Sequence, residues 1–273
     1  GYASAAVVGG SSAQVFGGDF EYGAITGVFS RALNSKLASQ ARRQRMEELR
    51  LQLEAVVASG DASGGLWNID RVAAILASEA YSGIHQNDNA GGLLYKLGIS
   101  YRPVDGFAAA LFQDPNGRYF LSFRGTEMTS FWDWVANLGQ GSRVLSASQY
   151  DQAVELAIQV KNALPAGSHL IMTGHSLGGG LASAASYATG EPAIIFNAAG
   201  LSGSYRSGNS GYIRAHYIRG EVLSTLQNAK IAAGGLGWYM PNTAGNLIEH
   251  APHPNVSSWN SIPRHSMGHF LNR

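Results

Sequence analysis

One serine stands where a nucleophile could work. In Gly174-His175-Ser176-Leu177-Gly178, followed by Gly179 and Gly180, a hydroxyl sits between glycines. The approach, Ser168 to Thr173, has an apolar centre that reads as a buried strand. Leu181 to Ala188 then reads as a small-residue helix. Strand, tight turn with serine at its tip, then helix is the setting of a nucleophile elbow. The serine must take a strained backbone angle if its hydroxyl is to project above the sheet. The helix folds back so closely that a side chain at Gly174 or Gly178 would collide with it.

A serine hydroxyl attacks well only when a base takes its proton and a carboxylate orients that base. In hydrolases of this architecture the chain order is serine, acid, histidine. After Ser176 there is no aspartate, and the glutamates are Glu191, Glu221 and Glu249. Glu191 follows the helix directly at its Gly190 stop, which puts it at the wrong end of the sheet. Glu221 comes just after the strand Ala215-His216-Tyr217-Ile218, where loops at the carboxyl ends of strands gather. Glu221 is therefore the expected acid, with Glu249 in reserve.

Five histidines follow the serine: His216, His250, His253, His265 and His269. His216 lies within a strand and reads as structural. His250 and His253 have only a weak metal-ligand spacing and no third ligand, so no metal or other cofactor is expected. The base comes last in this chain order, which favours His265, with His269 next. The oxyanion that develops on the substrate needs donors placed in advance, each worth about 3 kcal/mol. One is the backbone N–H of Leu177. The other is expected from Thr126, in Phe123-Arg124-Gly125-Thr126 at the end of an early strand.

Elements of an α/β fold must carry these groups. Helical spacing covers residues 36–58 (Leu37, Met46, Leu49, Leu53 and Val56), with arginines and glutamates between the apolar positions, and again Ile69 to Tyr81 and Tyr150 to Leu164. Strands are expected at 107–112, 119–123, 193–197 and 212–218. The first two are joined by Asp114-Pro115-Asn116-Gly117, a sequence with strong turn chemistry. Strands alternating with helices imply a mainly parallel sheet covered on both faces. Gly60 to Gly65 reads as a linker, dividing an N-terminal helical extension (1–65) from an α/β-hydrolase domain (66–273).

The chain has 273 residues, 45% of them hydrophobic and 14% charged, which is the composition of a globular protein. A net charge of +1 gives no electrostatic case for nucleic acid as a partner. Without cysteine, thiol nucleophiles and thiolate metal sites are excluded. No apolar run is long enough to cross a bilayer. The start at Gly1 reads as processing or as a piece of a longer polypeptide, and no signal peptide is recognisable.

Three segments together resemble the class 3 lipases, a branch of the α/β-hydrolases. They are Phe123-Arg124-Gly125-Thr126, Asp133-Trp134-Val135-Ala136-Asn137-Leu138 and the Gly174-to-Gly179 elbow. The resemblance covers about residues 69–273. It implies hydrolysis of lipid esters, Ser176 as nucleophile, and Thr126 with Leu177 as oxyanion donors. The acid in that family is commonly aspartate, so Glu221 departs from its pattern. The stretch from Phe16 to Ser30 resembles the junction near the end of Rhs-type polymorphic toxins. That resemblance implies a bacterial antimicrobial effector, secreted or delivered to a target cell, with membrane phospholipid as substrate and a cognate immunity protein as partner.

Apolar residues near the expected site fit work at a lipid surface: Phe131, Trp132 and Trp134 after the oxyanion loop, and Leu236, Trp238, Tyr239 and Met240 before the histidine. Glycines 234, 235 and 237 could hinge a lid. The competing readings are an esterase or thioesterase for small soluble substrates, and a non-catalytic binding module that keeps the fold.

Overall fold

The computed structural model describes residues 20–60, 62–63, 66–82, 97, 99, 106–125, 143–207, 212–228, 241–256 and 263–273. Residues 1–52 and 53–273 form separate compact units. Helix α1 (Phe20–Ala58) begins well before the helical spacing at 36–58. Of the apolar positions in that spacing, Leu49, Leu53 and Val56 are buried, whereas Leu37 and Met46 are exposed. The difference has a local cause. Arginines and glutamates crowd the middle of the helix, and the pairs Arg45–Glu48 and Arg50–Glu47 keep that stretch solvated. The expected linker holds a short antiparallel pair, β1 (Ala62–Ser63) with β2 (Leu66–Trp67).

The larger unit is built on a six-stranded sheet. β3 (Ala109–Gln113) and β4 (Tyr119–Phe123) form an antiparallel hairpin. Asp114 closes its turn, its Oδ1 accepting the N–H groups of Asn116 (3.0 Å) and Arg118 (2.8 Å). Gly117 takes φ 79°, the left-handed angle anticipated for that glycine. From β4 onward every pairing is parallel: β5 (Leu170–His175), β6 (Ala193–Phe196), β7 (Ile213–Ile218) and β8 (Asn246–His250). The spatial order of the strands follows the chain from β3 to β8. This is the mostly parallel, helix-flanked sheet of an α/β-hydrolase-like fold.

Strand alternation separates two faces. Leu121, Met172, Ile195 and Ala215 point to one core, shared with helices α3 (Arg143–Ala163) and α4 (Leu177–Thr189). Those two helices pack on each other, and α4 also packs on β4, β5 and β6. Ser122 and Thr173 turn to the other face, toward α2 (Asn68–Glu79). α2 also touches the C-terminal helix α6 (Gly268–Leu271). Two elements had no counterpart in the sequence reading: the edge strand β8, and α5 (Val222–Asn228) between β7 and β8.

Two buried hydroxyls tie α2 to the sheet. Ser122 Oγ donates to the Leu76 carbonyl at 2.9 Å. Thr173 Oγ1 lies 2.8 Å from the Ile194 carbonyl and 3.2 Å from that of Ala73. Thr173→Val keeps the volume and removes the donor. It is expected to lower unfolding free energy by about 1–3 kcal/mol in urea titration. An unchanged midpoint would remove this tether from the account.

Candidate active site

The parallel strands reach their carboxyl ends at Phe123, His175, Phe196, Ile218 and His250. Ser176 follows β5 directly and is the N-cap of α4, at φ 58° and ψ −127°. That conformation is strained for any residue other than glycine. The surroundings hold it. Ser176 N–H donates to Phe196 C=O (3.1 Å), and its carbonyl accepts the N–H of Gly179 (3.0 Å) and Ala199 (2.8 Å). The glycine requirement is steric on both sides of the serine. A Cβ on Gly174 would lie 2.3 Å from the Gly178 carbonyl oxygen, and one on Gly178 would lie 2.1 Å from that of Phe123.

Ser176 is 1% exposed, and its Oγ has no hydrogen-bond partner among the described residues. A buried hydroxyl without a partner is uncommon. Leu177 opens α4, so its N–H is among the first-turn amides with no partner inside the helix.

Glu221 stands three residues beyond β7 and caps α5. Its Oε2 accepts the Leu223 N–H at 2.8 Å, and its Oε1 accepts that of Ser224. The partial positive charge at the helix start favours a carboxylate there. The same Oε2 lies 2.7 Å from His265 Nδ1. Glu221 and His265 are both buried, at 1% and 0% exposure. With Nδ1–H donating to the carboxylate, Nε2 of His265 becomes the basic nitrogen. His265 ends a one-turn 3-10 segment, Pro263–His265, and its ring lies 4.6 Å, centroid to centroid, from that of His175.

The other candidates are occupied elsewhere. Glu191 precedes β6 and pairs with Lys161 at 2.9 Å, at the amino end of the sheet. Glu249 is on β8, bonded to Arg219 (2.7 Å) and Tyr217 (2.9 Å), and the Arg219 hydrogen bond lowers its pKa. His269 Nδ1 accepts the His253 N–H at 2.9 Å. His216 stacks on Phe196, with its Nδ1 2.9 Å from His250 Nε2 and its Nε2 3.4 Å from Asp70. Arg214 pairs with the same Asp70. This cluster lies on the α2 face of the sheet. Among the described residues no group of three or more acidic, histidine or cysteine side chains could hold a metal ion.

Thr126 lies outside the described residues, as do Phe131, Trp132, Trp134, the segment 133–138, Leu236, Trp238, Tyr239, Met240 and glycines 234, 235 and 237. Beyond β4 the described chain continues to Gly125, with Arg124 N–H donating to Ala108 C=O at 2.9 Å. No helix among the described residues is long and apolar enough to cross a membrane.

A strained serine at a strand-to-helix turn and a buried Glu–His pair thus stand at the same edge of the sheet. Residues 73–251 match the phospholipase-like family defined by the Tle-like phospholipase domain, and the chain belongs to that family. An extracellular phospholipase A1 of Serratia liquefaciens is 37% identical over 142 residues. The match covers 49% of this chain and 43% of that relative, so the chain spans under half of the relative's length.

Burial pushes two imidazoles well below their ordinary value, His175 to about 3 and His250 to about 4. Neighbouring His265 and His216 respectively lower them further. The unfolded chain therefore takes up protons below about pH 6.5 that the folded chain refuses. Stability is expected to fall as pH drops from about 6.5 toward 4, and His250→Gln should flatten part of that slope. Urea midpoints measured between pH 7 and 5 check this. Identical slopes in the two proteins would overturn it.

Proposed function

We propose that this chain is a serine hydrolase that cleaves carboxylic esters of phospholipids, through Ser176, His265 and Glu221. The observation that carries the reading is the buried 2.7 Å Glu221–His265 hydrogen bond at the sheet edge that holds the strained Ser176. Ser176 Oγ attacks the ester carbonyl carbon while His265 Nε2 takes its proton. The oxyanion is received by the backbone N–H groups of Leu177 and Thr126. The carbon–oxygen bond to the leaving alcohol then breaks, and His265 returns the proton to that alcohol. Water, activated by the same imidazole, releases the fatty acid and restores the serine. Glu221 holds the tautomer and stabilises the imidazolium.

The hydrolase unit in this reading is 66–273, with 1–65 as an extension, and the class 3 lipases are the wider group it resembles. Burial of Ser176, Glu221 and His265 supports an enzyme that admits substrate only after movement, as interfacial work requires. The Rhs-like stretch at 16–30 supports an effector delivered to, or secreted toward, another cell, with an immunity protein as partner. The extracellular relative is in keeping with secretion.

A fluorophosphonate probe is expected to label the protein and to fail on Ser176→Ala. Glu221→Gln should lower kcat by on the order of 10^4-fold, since the carboxylate's tautomer control is lost. Undiminished labelling of Ser176→Ala would overturn the serine mechanism. Phospholipid vesicles should be turned over faster than short soluble esters, and the reverse order would favour a soluble esterase. Directed to a bacterial periplasm, the wild-type chain should arrest growth and Ser176→Ala should not. Equal growth of the two strains would remove the effector reading.

A further inference from the structure

Beside the site lies a second set of polar groups that the ester chemistry does not use. His175, next to the serine, is 6% exposed. Its Nε2–H donates to the main-chain carbonyl of His265 at 2.6 Å, which leaves Nδ1 as an acceptor. Tyr81 Oη lies 3.2 Å from that Nδ1 and 3.3 Å from the His175 carbonyl, close enough to donate to either. The Tyr81 oxygen in turn accepts the Gly125 N–H at 3.1 Å. The approach is close, since a Cβ on Gly125 would lie 2.3 Å from Tyr81 Oη. Donor and acceptor directions therefore agree along one chain, from Gly125 through Tyr81 and His175 to the His265 carbonyl.

Asn197 reaches the same carbonyl from the bend just past β6. Its Nδ2 donates to His265 C=O at 3.1 Å, and its Oδ1 accepts the Ile218 N–H at 2.9 Å. Asn197 holds φ 41°, a left-handed angle that asparagine tolerates better than most side chains.

We propose that Tyr81, His175 and Asn197 are positioning residues that clamp the main chain of His265 against the elbow and the Gly125 segment just beyond β4. This inference rests on the serine-hydrolase reading above. The need for a clamp follows from the local structure. A three-residue 3-10 segment makes too few bonds of its own to hold a side chain within fractions of an ångström. Glu221 fixes the ring at Nδ1, and the carbonyl clamp fixes the backbone, so the base is held at two points. Burial keeps His175 neutral through the working range. The imidazolium that forms on His265 during turnover therefore faces no second charge from it, 4.6 Å away. The chain also ties three separate pieces of the site together: the end of β4, the elbow and the base.

The test uses the whole chain with a short soluble p-nitrophenyl ester, reading kcat and KM separately. Tyr81→Phe keeps the ring and removes one oxygen. It is expected to lower kcat about tenfold with KM within about twofold, as misplacement of a base does. His175→Leu should lose at least as much. His175→Gln, whose side-chain amide can replace the Nε2–H donor, should recover most of the loss. If Tyr81→Phe and His175→Leu both keep wild-type kcat while Ser176→Ala is inert, the clamp is wrong and the serine mechanism stands. If Ser176→Ala stays active, both fail together. Should His175→Leu not fold, Tyr81→Phe decides alone, because removing one oxygen leaves the ring packing intact.

Discussion

The backbone of Ser176 is the constraint around which the larger unit is arranged. Its φ of 58° and ψ of −127° cost about 1–3 kcal/mol for a residue with a side chain. Such a conformation persists only where the surroundings over-determine it. Here β6 holds the serine N–H through Phe196, and the chain beyond β6 returns to the serine carbonyl through Ala199. Helix α4 is buried along nearly its whole length, so it cannot relax outward to relieve the turn. The three glycines after Leu177 follow from the same closeness, because β4, Ala198 and Tyr150 each press on one of them. Strain, sheet register and glycine content are one structural fact seen three ways.

Glu221 shows how a carboxylate can serve a helix and an imidazole at once. Its carboxylate accepts two backbone amides at the start of α5, one at each oxygen, and one of those oxygens also meets His265. A shorter side chain at the same backbone position would cap the helix but reach less far. The extra methylene of glutamate spans from the α5 cap to the histidine. The price of that geometry is burial of a charge, offset by three hydrogen bonds to its two oxygens.

The elbow was legible in the sequence because its demands are local. Small residues, a serine between glycines and an apolar approach strand are all visible within fifteen positions. Chain order then singled out Glu221 and favoured His265 over His269, and the structure joins those two at Nδ1 while His269 binds the His253 amide. What stayed hidden is non-local. α5 is seven residues long with weak periodicity, and β8 is an exposed edge strand with little apolar alternation, so neither announces itself. Tyr81, His175 and Asn197 gave no signal, since their partners lie between 21 and 94 residues away along the chain. His175 stood within the elbow pentapeptide, yet nothing in its neighbours points to a carbonyl 90 residues on.

The sheet also explains why the chain can carry two buried histidine clusters without confusing their roles. His216 and His250 sit in paired strands, where His216 pairs with Ile248 and His250 with Ile218, so the two rings are diagonal neighbours on the face that alternation turns toward α2 and Asp70. A histidine within a strand has its backbone committed to the ladder and its ring committed to one face. There His216 packs against Phe196 and His250 against Phe270. Glu221, His265 and Ser176 all lie just past strand ends or in the terminal turn, where backbone direction is free to change. Beyond the ladder, side chains from different strands converge free of the two-face alternation that holds His216 and His250, and the candidate chemistry of this chain stands there, at the carboxyl edge of the sheet.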